Sequence, residues 1–286
     1  MTFCSPTKAS RRVVGICCLA ALTGFAAMTL GCRQPEENAN RVRVSGASTV
    51  YPIIVLAGEA LKASGSRLEI QAQAGGSTRG FEDTLAGRND LGAMAREPTA
   101  EEAAQIRQFP IAYDGVGVVV HGSNRVEHIT TEDLRRIYRK EITDWAALGG
   151  EEESIVVVTK AEGHATLETF LEHTGLDRGA LQVDVVGGDN AQVIRVVANT
   201  PGAIGYVSLG EVLHSIEIDI PLRLLELDGV APTLEHVASR HYPMFRTLYL
   251  VSREEPQGAS RTLLDYLRTA EGRRIIEQGR YVPVDD

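Results

Sequence analysis

Two short turns rich in Gly, Ser and Thr constrain what this chain can fold into. Residues 46–52 read Gly-Ala-Ser-Thr-Val-Tyr-Pro, and residues 75–80 read Gly-Gly-Ser-Thr-Arg-Gly. Each turn follows a strand-like run, at 41–44 or 68–72, and precedes a helix-like run. The hydroxyls and the free N–H groups of each helix's first turn then point toward one spot, which is how proteins build anion sites. N-capping alone explains one such turn, but two in tandem, with a third candidate at 162–166, favour anion binding.

The first thirty or so residues have the layout of an export signal. Lys8, Arg11 and Arg12 form a basic segment, and the run at 13–30 is apolar and carries no charge. A basic segment followed by such a run is typical of a secretory signal peptide.

Cys32 follows this apolar run after a small residue, which is similar to the bacterial lipobox, in which the cysteine is lipidated and becomes the first residue. We therefore predict a lipoprotein signal peptide at 1–31 and a polar tether at 32–40. Two alternatives stay open: an uncleaved membrane anchor, because the apolar run is just long enough to span a bilayer, and a cleaved protein without lipid.

The cysteines and the net charge limit the chemistry of the remaining chain. All four cysteines lie within or at the end of the predicted signal; they are Cys4, Cys17, Cys18 and Cys32. The rest of the chain therefore has no internal disulfide, no cysteine-based metal site and no thiol nucleophile. The formal charge is −9, and removal of the three basic residues of the signal makes it more negative still. No basic stripe is present, so nucleic acid is not an expected partner.

Beyond the tether, short apolar strands alternate with amphipathic helices, which is typical of an α/β fold. Several strand candidates, such as 115–121, are Val-rich runs without polar alternation, as expected for strands covered on both faces. Helices are predicted at 100–108 and 260–278, among others. The Thr-Thr-Glu-Asp sequence at 130–133 indicates a capped helix start.

Six segments follow one another in an order that is characteristic of one family. They are Gly-Ala-Ser-Thr-Val-Tyr-Pro at 46–52, Asn-Asp-Leu-Gly-Ala-Met-Ala-Arg at 89–96, Ile-Ala-Tyr-Asp-Gly-Val-Gly-Val-Val-Val at 111–120, Ile-Tyr-Arg-Lys-Glu-Ile-Thr-Asp-Trp at 137–145, Pro-Gly-Ala-Ile-Gly-Tyr-Val at 201–207 and Glu-Gly-Arg-Arg-Ile-Ile at 271–276. Together they resemble the phosphate-binding proteins of bacterial ABC uptake systems, within the type II periplasmic-binding-protein superfamily. The resemblance spans roughly residues 41–284.

This resemblance implies a two-lobed α/β fold. Each lobe is a mixed sheet flanked by helices, two crossover strands join the lobes, and the ligand lies in the cleft between them, which closes by hinge bending. We expect the crossovers near 118–121 and 248–251. Lobe I would then comprise 41–118 plus 249–286, and lobe II would comprise 119–248.

The resemblance also implies the ligand-binding residues. In the family, the first motif supplies a Thr hydroxyl and the next N–H, the second loop supplies a Ser hydroxyl, and a third loop usually reads Arg-x-x-Gly-Ser-Gly-Thr or a close variant. The expected ligand-binding residues are Ser48, Thr49, Val50, Ser77, Thr78, Arg79, Lys160, Gly163, His164, Ala165 and Thr166. N-capping is the alternative role of Thr49, and a solvated side chain is the alternative for Arg79.

Three positions depart from the family pattern. Lys160 stands where Arg is usual, so it offers one point charge instead of a planar fork of donors. His164 stands where Ser is usual; it donates a hydrogen bond to the ligand, or it caps a helix, or it faces solvent. Ala95 lies near an Asp or Ser that reaches the anion in the family, and it cannot accept the proton that phosphate carries and sulfate lacks.

These departures leave the identity of the oxyanion open. Asp114 is a candidate replacement for the missing acceptor, although its position is usually structural in the family. Arg79 is a candidate replacement for the missing guanidinium. We expect Glu162 to orient the cation two residues earlier, at Lys160.

The expected function is that of an exported solute-binding protein. It would be anchored by lipid on the periplasmic or cell-surface side of a bacterial membrane, bind inorganic phosphate as a monomer, and deliver it to ABC permease subunits. We expect no catalytic residue, cofactor or metal. The alternatives are the same fold retuned to another oxyanion or to a larger phosphorylated or carboxylated ligand, and a sensing or adhesion module or a hydrolase built on this scaffold.

One helix carries acidic and histidine side chains at spacings that sometimes bind metal: His164, Glu168, Glu172 and His173. No HExxH motif or cysteine ligand supports a metal site there, so a solvated face is the preferred interpretation. Trp145 is expected to pack in the core.

Overall fold

The structure is a computed structural model, and it describes residues 40–284. The strands are β1 Arg41–Gly46, β2 Glu69–Ala74, β3 Leu91–Met94, β4 Arg107–His121, β5 His128–Ile129, β6 Val156–Lys160, β7 Val185–Gly187, β8 Ala203–Ser208, β9 Leu222–Leu224, β10 Glu226–Leu227, β11 Phe245–Ser252 and β12 Val282–Pro283. The helices are α1 Tyr51–Ala63, α2 Ser77–Leu85, α3 Ala100–Ala103, α4 Thr131–Tyr138, α5 Ala165–Thr174, α6 Asn190–Ala198, α7 Leu209–Glu217, α8 Leu234–Ala238, α9 Gly258–Arg268 and α10 Ala270–Gln278. The predicted signal peptide and Cys32 lie outside the described residues, as does all of the tether except Asn40.

One mixed sheet runs through this part of the chain in the order β2-β1-β3-β11-β4-β8-β6-β7, and β9 and β12 pair with β4. β1 is parallel to β2 and β3, and β6 is parallel to β7 and β8. β11 and β4 are antiparallel to their neighbours along this order. The prediction of an α/β fold with a mixed sheet flanked by helices is therefore confirmed.

β4 belongs to both halves of this sheet. Its residues 107–115 pair with β11, and its residues 116–120 pair with β8. The apolar pattern predicted only 115–121 as a strand, because the preceding residues include Arg107, Gln108 and Asp114, which interrupt the pattern. Such a long shared strand fits the expected crossover; the predicted lobe boundaries stay a prediction.

Two large apolar clusters form most of the core of residues 40–284, and two smaller ones adjoin the sheet. One large cluster gathers side chains from β1, α1, β3, β11, α9 and α10, and the other gathers side chains from β4, α4, β6, α5 and β8. Trp145 is buried in the second cluster and donates its indole N–H to the Gly202 carbonyl at 3.0 Å. The prediction that Trp145 packs in the core is confirmed.

Two helices begin where the sequence predicts, and one of them ends earlier than predicted. α4 begins with the expected capping box, in which Thr130 and Asp133 satisfy each other's backbone N–H. The helix predicted at 100–108 ends at Ala103, because β4 begins at Arg107.

The helix predicted at 260–278 is two helices, α9 and α10. Thr269 adopts an extended conformation between them, and its hydroxyl accepts a hydrogen bond from the Gly272 N–H at 3.1 Å. A Cβ at Gly272 would lie 2.1 Å from the Tyr266 carbonyl oxygen, so glycine permits the close approach of the two helices. The two helices share one apolar periodicity, which is why the sequence did not separate them.

None of the helices within residues 40–284 is long and apolar enough to cross a membrane.

Candidate functional site

The first two Gly/Ser/Thr turns meet at the carboxyl ends of β1, β2 and β3. The N–H groups of Gly75 and Gly76 donate to the Gly46 carbonyl at 2.7 and 2.9 Å, and the Ala47 N–H donates to the Ala93 carbonyl at 2.8 Å. Because parallel strands deliver their carboxyl ends to one edge of a sheet, the helices that follow begin side by side there. The N-termini of α1 and α2 are thus brought together.

The third loop contacts the second. The Thr78 N–H donates to the Gly163 carbonyl at 3.4 Å. Gly76 has a φ of +114°, and a Cβ added to it would lie only 2.6 Å from the Gly163 carbonyl oxygen. Glycine is therefore required at residue 76 for both its backbone conformation and the close approach of the two loops.

A buried guanidinium joins the first and third loops. Arg246 on β11 donates to the Thr49 hydroxyl oxygen at 2.9 Å and to the Thr166 hydroxyl oxygen at 3.0 Å. Its Nε and Nη2 donate to the Asp114 carboxylate at 2.9 and 2.6 Å. The Asn190 amide also donates to Thr49, at 3.3 Å. Burial raises the pKa of the Asp114 carboxyl, and the Arg246 guanidinium opposes that rise.

These contacts orient the hydroxyl hydrogens. A hydroxyl has one donor and two acceptor positions, and Thr49 uses both acceptor positions, for Arg246 and Asn190. Ser77 accepts from the Ala95 N–H at 3.0 Å, and Thr166 accepts from Arg246. Within residues 40–284, none of these three hydroxyls donates a hydrogen bond. Three buried O–H donors are therefore available to an acceptor such as an anion.

Lys160 adds a positive charge at the end of β6. The residue is 2% exposed, and among the described residues its Nζ has no hydrogen-bond partner. Burial lowers the pKa of Lys160 from 10.5 to about 7, while the charges of Glu211 and Asp189 oppose the fall and that of Arg246 adds to it. An unpaired buried ammonium is costly, so its position favours a bound anion.

Glu162 does not orient Lys160, so that expectation is wrong. The Glu162 side chain is largely exposed and forms an ion pair with Arg178, with 3.1 Å between Oε1 and Nη1.

His164 occupies the N-cap position of α5, but its side chain makes no capping hydrogen bond. The imidazole is half-buried, and burial, followed by the Lys160 charge, lowers its pKa. A Cβ at Gly76 would lie 3.6 Å from its Nδ1, which places His164 beside the second loop. Ala165, the next residue, is buried against the cluster that includes β1 and α1.

The other predicted ligand residues have local roles in the structure. The Val50 N–H donates to the Ala47 carbonyl at 3.1 Å, and the Tyr51 N–H donates to the Ser48 carbonyl at 3.2 Å. Arg79 is exposed, and its Nε lies 3.4 Å from Asp83, one turn along α2. Whether these residues bind a ligand stays a prediction.

Three residues of this cluster are not predicted by the sequence motifs. Arg246 lies 197 residues from Thr49 in the chain and follows no recognised motif. Asn190 and Glu211, which are joined by a hydrogen bond from the Asn190 amide to the Glu211 carboxylate, lie in the first turns of α6 and α7. α6 follows β7 and α7 follows β8, and both of these strands are parallel to β6. Polar residues at strand-to-helix turns indicated the first two loops, and the same criterion would have indicated Asn190 and Glu211.

The acidic and histidine side chains of α5 make contacts other than metal binding. Glu168 pairs with Arg96 at 2.6 Å, and His173 Nε2 lies 2.7 Å from the Thr131 hydroxyl. Within residues 40–284, no group of three His, Cys, Asp or Glu side chains is arranged to hold a metal ion.

Comparisons with known proteins agree with this arrangement. A model of the PBP superfamily domain matches residues 33–271. The phosphate-binding protein PstS of Bacillus subtilis (strain 168) is 29% identical over 257 residues, which cover 88% of this chain and 83% of the relative. PstS of Borreliella burgdorferi is 24% identical, over 87% of this chain and 92% of the relative.

A solved structure extends the likeness to three dimensions. It is described as a phosphate ABC transporter substrate-binding protein from Clostridium perfringens with bound phosphate. It superposes with a TM-score of 0.80 at 28% identity, over 86% of this chain and all of that one. These relatives are named for binding and transport rather than for a reaction, in agreement with the prediction that the chain is not an enzyme. The family model agrees with the six sequence motifs and with the mixed sheet of this chain. The chain therefore belongs to the PBP superfamily.

Proposed function

We propose that this protein is a solute-binding protein that binds inorganic phosphate at the cluster formed by the three loops. The observation that carries the proposal is the set of buried hydroxyls, Thr49, Ser77 and Thr166, which accept hydrogen bonds from the protein and so keep their own hydrogens for a ligand. The unpaired ammonium of Lys160 supplies the charge. Relatives named for phosphate binding support the choice of anion.

Helix N-termini strengthen the same site. α1, α2 and α5 begin at the three loops, and the positive ends of their dipoles lie nearest the cluster. Arg246 does not need to contact the anion directly, because its bonds to Thr49 and Thr166 already hold their hydroxyls in place.

The test is calorimetric titration of ligand-free protein with inorganic phosphate, using Thr49→Ala combined with Ser77→Ala. Each hydrogen bond to a charged group contributes about 1.5–3 kcal/mol, so the double variant should lose about a hundredfold or more in affinity. The matched control combines Ser239→Ala with Thr262→Ala, which remove exposed helix hydroxyls that bond only to local carbonyls. Unchanged affinity in the first variant would refute this location of the site.

We further propose that the protein is exported, anchored by lipid at Cys32, and delivers phosphate to an ABC permease. The layout of residues 1–31 and the similarity to PstS proteins and to a transporter component support this. Cys32→Ala should release the protein from the membrane fraction and abolish labelling by radioactive palmitate. Continued membrane association of that variant, without labelling, would favour an uncleaved anchor.

A larger phosphorylated ligand is the second candidate. A groove of about 670 Å³, lined in part by Tyr51, Pro52, Ile194 and Glu211, lies between α1, α6 and α7. Glu211 belongs to both the groove and the hydrogen-bonded cluster, so the two are contiguous. Titration with glycerol phosphate distinguishes the candidates: tighter binding than inorganic phosphate would favour the larger ligand.

A further inference from the structure

A site that prefers phosphate over sulfate needs a protein group that accepts a hydrogen bond from the anion. Phosphate carries a proton on one oxygen near neutral pH, whereas sulfate carries none, so only a hydrogen-bond acceptor in the protein distinguishes them. Ala95 has no side-chain acceptor, and its N–H is already donated to Ser77. The acceptor must therefore come from elsewhere in the cluster.

Two of the nearby carboxylates, Asp114 and Asp189, are placed less well to accept this hydrogen bond. Asp114 receives two hydrogen bonds from Arg246 and one from the Ser208 hydroxyl. Asp189 caps α6 by accepting from the Gln192 N–H at 2.8 Å. With the Gly210 N–H as a fourth donor, the acceptor positions of Asp114 are taken. Asp189 keeps unused acceptor positions, but among the described residues no hydrogen bond joins it to the hydroxyls of Thr49, Ser77 or Thr166.

Glu211 has spare capacity. Its Oε1 accepts from the Asn190 amide at 2.5 Å, and among the described residues no hydrogen bond reaches its Oε2. An ionised carboxylate has about four acceptor positions, so most of those of Glu211 are unused.

The position of Glu211 links it to the hydroxyl cluster. The Asn190 amide nitrogen that donates to Glu211 also donates to Thr49, at 3.3 Å. Three buried polar atoms around this cluster lack partners among the described residues: the Asn190 Oδ1, the Lys160 Nζ and the Tyr281 hydroxyl oxygen. Lys160 and Glu211 are also close enough to stabilise each other's charge. Unpaired buried groups around one spot indicate that a ligand completes their contacts.

We propose that Glu211 accepts the hydrogen bond of the anion's own hydroxyl and thereby selects phosphate against sulfate. This inference rests on the proposed function, since it identifies the specificity-determining residue of the same site. Bound sulfate would lie beside the Glu211 carboxylate with no proton to share, so the two negative groups would repel each other. It would enter only if Glu211 first took a proton from solvent and became a donor.

The charges around Glu211 support a shared proton. Burial raises its pKa to about 7; the Asn190 amide, Lys160 and Arg246 lower it, and Asp114 raises it. Tyr281 also faces this cluster, and His214 is exposed one turn along the helix. A bound anion raises the pKa further, because like charges disfavour ionisation. Sulfate binding should therefore be coupled to proton uptake and should strengthen as the pH falls through about 7.

The test is titration of ligand-free full-length protein with inorganic phosphate and with sodium sulfate, on either side of pH 7, in wild type and Glu211→Gln. We expect the wild type to prefer phosphate and the variant to narrow the phosphate-to-sulfate affinity ratio about tenfold or more, because the Gln amide donates to sulfate. Glu217→Gln is the matched control, since Glu217 lies on the same helix but is exposed and pairs with Arg280. It should leave the ratio unchanged.

A measurement on the wild type keeps the inference testable if the Gln variant fails to fold. Sulfate affinity should rise with falling pH, with proton uptake detected by comparing buffers of different ionisation enthalpy. An unchanged ratio in a folded Glu211→Gln variant that still binds phosphate, or a sulfate affinity that is flat with pH, would overturn the inference and leave the proposed function standing. A wild type that binds no phosphate would overturn both.

Discussion

Lys160→Met should make the ligand-free protein more stable while weakening its affinity for phosphate. Lys160 is buried, and its Nζ has no hydrogen-bond partner among the described residues. An unpaired buried charge destabilises a fold, and a methionine of similar length removes the charge with little change in packing. The same ammonium supplies the positive charge that we propose for the anion. Stability and binding should therefore change in opposite directions.

The magnitude follows from the pKa of Lys160. A fall from 10.5 to about 7 corresponds to a cost of about 5 kcal/mol for the charged form, as an upper bound. The cost is present in full below the folded pKa of about 7 and disappears as the pH rises toward 10.5, because the unfolded chain then also loses the proton. Below pH 7 Glu211 also becomes protonated, since its pKa is raised to about 7, so the substitution leaves no unpaired carboxylate.

Urea denaturation of phosphate-free wild type, Lys160→Met and Lys62→Met at about pH 6 and about pH 9 measures this difference. Lys62 is an exposed lysine in the last turn of α1, and its substitution should change the free energy of unfolding by about 0.5 kcal/mol or less. We expect Lys160→Met to be more stable by a few kcal/mol at the lower pH and by less at the higher pH. Its phosphate affinity should fall about tenfold or more. A variant that is less stable than wild type, or a difference independent of pH, would refute the reasoning.

Two further substitutions test the loops and the buried ion pair. Gly76→Ala should weaken phosphate binding, because the added Cβ would collide with the Gly163 carbonyl oxygen. Gly87 also has a positive φ, but no atom lies within 4 Å of an added Cβ, so Gly87→Ala should affect stability alone. Calorimetry measures the effect on binding, and thermal melting measures the effect on stability. Arg246→Met should lower the free energy of unfolding by about 3–5 kcal/mol, measured in urea, because it leaves the buried carboxylate of Asp114 without its cation. Equal phosphate affinities in the two glycine variants, or a stable Arg246→Met protein, would contradict these expectations.

The sequence predicted the parts of the site that are local in the chain. Glycine followed by Ser and Thr, between a strand and a helix, is sufficient to indicate the turns at 46–52 and 75–80, since turn geometry and helix capping are decided within a few residues. The strand at Leu91–Met94 was not predicted, because Leu-Gly-Ala-Met contains no β-branched or aromatic residue. Its position between β1 and β11 in the sheet supplies the pairing that its composition does not.

The remaining parts depend on contacts between distant segments. Arg246 reaches Thr49 and Thr166 only because β11 lies beside both β3 and β4 in the sheet. An arginine within a strand has no local signal that distinguishes it from a solvated side chain. Asp114 was predicted as a candidate acceptor for the proton that phosphate carries, but in the structure it accepts a hydrogen bond from Arg246.

The departures at Lys160 and Ala95 are best understood together with these distant residues. In the family pattern, one arginine in the third loop would supply both charge and planar donors. Here the two properties are separated: Lys160 supplies an unpaired charge, and Arg246 supplies planar donors that orient Thr49 and Thr166 while its own charge is balanced by Asp114. A neutralised guanidinium contributes little net charge, so the balance of the site is set by Lys160 and Glu211. Because both have a pKa near 7, small changes in the bound anion's protonation should decide which anion the site retains.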